Sequence, residues 1–221
     1  MKKKKIFKNV IKVALILIAI FIVILVINII RNYVIITDLQ NKGSQYKDIT
    51  NYNIKISTND NGTIFKTDYY KKDNKQAIFM ERNLNGEIVK ISMYDNGERV
   101  DTFTEAKDTK IVQLDTGTIM SVNIYNQLET DNNWQTFLGC ISAQIKSVNY
   151  NGKECYKIRS FMSSTSLTFE GAEIYIDKET GLLIKTTETG TISEREYKFN
   201  EIEESIFKEP DISQYTLKEN K

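Results

Sequence analysis

Histidine is absent from the 221 residues. That removes the commonest general base and the commonest side-chain metal ligand. Proline occurs once, as Pro210, and tryptophan once, as Trp134. No glycine-rich phosphate loop is present. The hydroxyl run Ser163-Ser164-Thr165-Ser166 has no base beside it in sequence. The Asp-rich turns Asn59–Gly62 and Asp95–Gly97 lack the ligand spacing of a calcium loop. A hydrolase working through Asp and Glu would need paired carboxylates of raised pKa in one cleft. The acid run Glu201, Glu203 and Glu204 reads as a solvated strand end. These absences predict a protein that is not an enzyme and holds neither metal nor cofactor.

Cysteine is scarce too: Cys140 and Cys155 are the only two. Outside the cytoplasm they could pair. Equally, each could pack as a small apolar residue. Their expected settings, a helix end and a strand, leave the pairing open.

The formal net charge of +1 averages two unlike parts. Seven of the 30 basic residues lie in the first 32 positions, which hold no acid. The remaining 23 face 29 acids, a net of −6. Nucleic acid rewards phosphate neutralisation by Lys and Arg, so an acidic domain is a poor partner for it.

One long hydrophobic run is present: Val13 to Ile30, VALILIAIFIVILVINII, with Asn28 as its one polar residue. About 20 apolar residues of helix span a bilayer core. Lys2, Lys3, Lys4, Lys5, Lys8 and Lys12 precede the run, whereas Arg31 and then Lys42 follow it. Such asymmetry keeps the basic side in the cytoplasm. The competing reading is a cleaved signal peptide, whose apolar region is shorter and ends in small residues. Here the run is long and its Ala residues, Ala14 and Ala19, come early. The expected organisation is a cytoplasmic basic segment (1–12), a single-pass transmembrane anchor (13–36), a juxtamembrane connector (37–45), an extracytoplasmic domain (46–216) and a tail (217–221).

Beyond the anchor the period shifts to two. Tyr52, Ile54 and Ile56 alternate with Asn53, Lys55 and Ser57, which is strand spacing. Asn-Gly pairs at 61–62, 85–86, 96–97 and 151–152 suit tight hairpin turns. The turn also explains Asn61-Gly62-Thr63 better than its formal match to a glycosylation sequon. Further strands are predicted at 64–70, 77–81, 87–94, 100–104, 110–114, 143–149, 154–162, 165–169, 173–177, 182–188 and 193–202. Helical spacing is confined to 123–129 and 134–141. The fold class is therefore mainly β (α+β): a curved antiparallel sheet after a transmembrane helix.

Trp134, Phe137, Leu138 and Ile141 fall at i, i+3, i+4 and i+7, one apolar stripe. The stripe has two readings. It is core, or it is one wall of a ligand groove between the helix and the sheet.

Four segments share an order. Tyr46 to Tyr52 leads into the first strand, and Asn151 to Ile158 is a turn entering a strand. Glu173 to Lys185 carries an Asp-x-x-Thr-Gly turn, Asp177 to Gly181. Glu196 to Ile202 is followed by Phe207 and Pro210-Asp211-Ile212. In this order they resemble the outer-membrane lipoprotein carrier (LolA-like) superfamily, in a membrane-anchored, Gram-positive-type form. The resemblance implies an incomplete β-barrel with helices in its concave face. It also implies an apolar ligand, lipid or a lipoprotein acyl chain, or alternatively an envelope sensor or protein-interaction role. It supplies no catalytic residue. A tether departs from the carrier pattern, because a shuttle must leave its membrane.

Overall fold

Asparagine sets three of the described hairpins. The computed structural model describes residues 2–84, 86–119, 122, 124, 128, 132–159 and 172–218, with side chains from Ile11 onward. Between β1 (Asn51–Asp60) and β2 (Thr63–Lys72), Asn61 and Gly62 take φ of 47° and 92°. Two positive φ angles match the right-handed twist of the flanking strands. The Asn59 carboxamide oxygen accepts from the Gly62 amide at 2.9 Å. The same Asn-x-x-Gly bond recurs from Asn83 to Gly86 and from Asn149 to Gly152.

The meander continues through β3 (Lys75–Leu84), β4 (Glu87–Asp95), β5 (Arg99–Ala106) and β6 (Thr109–Thr116). After helix α2 (Asn133–Ser142) come β7 (Gln144–Tyr150), β8 (Lys153–Arg159), β9 (Glu173–Asp177), β10 (Leu183–Glu188) and β11 (Thr191–Phe199). β1 pairs antiparallel with β11 from Tyr52↔Phe199 to Asp60↔Thr191, joining the two halves. With the short β12 (Thr216–Leu217), the described strands make one unclosed, curved sheet of order β12-β6-β5-β4-β3-β2-β1-β11-β10-β9-β8-β7. All pairs are antiparallel except β12 with β6. The predicted strand at 165–169 and most of the predicted helix at 123–129 lie outside the described residues.

One face of the sheet carries Ile54, Tyr69, Ile145, Ile158, Ile174, Ile176 and Leu183 into the core. The C-terminal segment crosses the other face. There Ile206, Phe207 and Tyr215 pack on Ala77, Tyr94, Phe103 and Val112. The Tyr215 hydroxyl donates to Glu105 at 2.6 Å. Cys140 and Cys155 are both buried free thiols, and burial pushes the Cys140 thiol up to about 11.

The connector expected at 37–45 is helical to Ser44. Helix α1 runs unbroken from Lys2 to Ser44. Its residues from Val13 to Ile30, Asn28 aside, are apolar, and nearly all are exposed. Beyond them it enters the core, where Ile36 and Leu39 are fully buried against α2, β8, β9 and β10. The polar residues of 37–45 suggested a linker, but Ile36, Leu39 and Gly43 repeat at i, i+3 and i+7, one helical face.

Candidate functional site

The β9–β10 turn fixes the end of α1. Asp177 accepts from the Glu179 amide at 3.0 Å and from the Thr180 hydroxyl at 3.1 Å. Gly181, at φ 72°, then lies against α1 so closely that an added Cβ would sit 2.4 Å from the Leu39 carbonyl oxygen. Lys42 Nζ donates to the Lys178 carbonyl at 2.8 Å and pairs with Asp38. The Asp-x-x-Thr-Gly turn is thus a seat for a helix, and only glycine fits its contact point.

Helix α2 packs beside α1. Asn132 caps it, accepting from the Gln135 amide at 3.0 Å. Its C-terminal carbonyls are met from the other helix: Asn32 Nδ2, buried, donates to Cys140 O at 3.2 Å and to Ala143 O at 2.8 Å. Arg31 Nη2 reaches the Ile145 carbonyl at 3.2 Å.

The face of α2 turned into the protein is Thr136, Gly139 and Cys140. At about 100° per residue, the stripe Trp134, Phe137, Leu138 and Ile141 lies on the opposite side. Trp134 is 65% exposed, Leu138 43% and Ile141 52%. This corrects the expected geometry: the stripe does not line a slot between helix and sheet. Small side chains face inward because α2 must approach α1 closely enough for Asn32 to reach its last turn. Phe137 alone is part-covered, between Trp134 (stacked, centroids 5.6 Å apart) and Tyr33 of α1 (edge-on, 6.3 Å).

What the fold does form is a groove of about 530 Å³ between α1 and the α2–β7 corner. Phe21, Ile24, Leu25 and Ile29 supply one wall. Ile141 and Ile145 supply the other, with Arg31 and Lys146 also on its lining. Of the four sequence candidates only Ile141 lines it. The α1 residues were missed, although Asn28 and Asn32, one turn apart at the end of the apolar run, mark the groove side of that helix. A second concavity, about 470 Å³, crosses β11 and β1–β4. It is lined by opposed charges, among them Lys55, Lys66, Glu81 and Glu196.

Among the described residues no group of His, Cys, Asp and Glu is placed to hold a metal.

No known family model matches the chain, and no curated protein matches it. Solved structures do align with it. An uncharacterized conserved protein from Thermus thermophilus is 12% identical, with TM-score 0.42, over 82% of this chain and 98% of that one. MucB is 11% identical, with TM-score 0.35, over 79% and 62%. A LolA superfamily protein from Nitrosomonas europaea is 11% identical, with TM-score 0.26, over 78% and 97%. Likeness at these levels transfers no function.

Proposed function

We propose that this chain is a membrane-tethered, extracytoplasmic binding protein of LolA-like architecture, without catalytic activity. One observation carries the reading: α1 is a single helix whose first part is exposed and apolar and whose last part is core. A cut just after the apolar run would open α1 beside Asn32 and Tyr33, which pack on α2, and that continuity supports reading the helix as a retained anchor. The lysines before Val13 set the N-terminus inside and the sheet outside. The ligand class is apolar, a lipid or lipoprotein acyl chain, held in the α1–α2 groove. The groove wall beside the span is apolar, while Asn28, Asn32 and Gln144 add polar groups at its rim. An acyl chain entering from the bilayer would be held there by packing and by those groups, since it leaves lipid and not water. Arg31 and Lys146 on its lining suit an anionic headgroup.

The test is native mass spectrometry of the full chain, extracted from its own membrane in mild detergent. A stoichiometric acyl-bearing adduct, lost in Ile141→Glu, is the expected result. A bare chain refutes the ligand.

The second reading is an envelope sensor or interaction module. It rests on β7, which has a partner on one side only among the described strands. An open edge accepts a partner strand. Recovery of a stoichiometric protein partner, lost when Ser147→Pro blocks the edge, would favour it.

A further inference from the structure

We propose that the C-terminal end of α2 is immersed in the outer leaflet of the same bilayer that α1 spans, with Trp134 at its interface. This rests on the anchor reading of α1. Three independent features support it. First, α2 is inverted for a helix facing water: its small residues face inward and its large apolar ones outward, and NWQTFLGCIS contains no charge. Contiguous exposed apolar surface marks a contact with something apolar.

Second, position along α1 says what that contact is. Ile141 lines one groove with Phe21, Ile24 and Leu25, which belong to the apolar run. Asn32 meets the last turn of α2, Tyr33 meets Phe137 one turn earlier, and Trp134 stacks beyond it. The two helices are therefore antiparallel, and α2 points its C-terminus down toward the span. Since α1 is unbroken and Asn32 holds the carbonyls on either side of Ile141, placing Val13–Ile30 in lipid brings Ile141 to the outer edge of that lipid. Trp134 and Tyr33 then fall where aromatic residues collect at membrane surfaces.

Third, charge agrees. The domain is acidic, yet Asn132 to Lys153 contains no Asp or Glu, and the acid nearest its β7 end, Glu173, is neutralised by Lys157 and Arg159. Arg31 and Lys146 flank the groove, where long cationic side chains can reach headgroups while their stems stay apolar.

Trp134 is the sole tryptophan, so it reports on itself. Three full-length proteins would be reconstituted in phosphatidylcholine vesicles brominated at shallow or deep acyl positions: the native chain, Trp134→Phe with Ile141→Trp, and Trp134→Phe with Val23→Trp. The expected result is blue-shifted emission in all three. Native Trp134 is quenched most by shallow bromines, the position-141 reporter at greater depth, and the position-23 reporter most by deep bromines. If position 23 is quenched while 134 and 141 emit as in water, α2 is not in the leaflet although the anchor stands. Blue-shifted but unquenched emission at 134 and 141 means a protein covers the stripe, which also overturns the proposal. If position 23 is not quenched, the anchor reading falls and the immersion of α2 with it.

Discussion

At the residue scale, two positions carry more than their size suggests. Gly181 combines positive φ with backbone contact to α1, so Gly181→Ala must both strain the turn and push the helix away. We expect a loss of about 1–3 kcal/mol, read as a lowered melting temperature of the full chain in detergent. Gly62, also at positive φ but with open space where its Cβ would be, should lose less as Gly62→Ala. Glu209 is a pH-sensitive contact. Burial, and then the carboxylate of buried Asp101, hold its carboxyl above its ordinary 4.5, while Arg99 opposes them. A folded-state value above the unfolded one favours folding most below pH 4.5. That contribution is lost as pH rises through the raised value. Glu209→Gln should therefore stabilise the docked C-terminal segment at neutral pH and change nothing in acid. Hydrogen exchange of residues 203–217, compared between an acidic buffer near pH ~4 and one near neutrality, checks the sign.

At the element scale, α1 and α2 are joined by a polar bond in an apolar setting. Asn32→Ala leaves the Cys140 and Ala143 carbonyls without that donor, at a cost of about 1–3 kcal/mol. Its effect should appear as faster alkylation of Cys140, whose thiol the packing now shelters. Elements set by local chemistry were legible in the sequence. Turn residues and alternation placed β1 to β11, because turn type and side-chain period are short-range properties. β12 was not legible, since two residues carry no period and its parallel pairing with β6 comes from the chain's return path. The helix at 134–141 was legible as well and is α2; what the helices did not disclose is their surroundings. The apolar stripe of α2 marked a buried face correctly only if its surroundings were water. The polar residues of 37–45 hid a core face because Ile36 and Leu39 are few among them. In both cases the deciding factor lies outside the element, which periodicity does not encode.

At the scale of the whole molecule, the lysine asymmetry and the unbroken α1 lead us to expect the sheet outside the cell. Protease added to intact, wall-stripped cells should degrade residues beyond Arg31 and leave a short N-terminal fragment in the membrane. A protected domain would reverse the topology. The same helix has a mechanical consequence. A transmembrane helix leans by about 20° on average, and leans further when its apolar stretch exceeds the bilayer's thickness. A hinged domain would hang upright regardless. Here the mast is built into the hull: Gly181, Asn32 and Lys42 clamp it along its upper length. On the anchor reading of α1, every degree of lean would be passed to the sheet of described strands, and a thinner membrane would swing the β7 edge through an arc toward or away from the lipid surface.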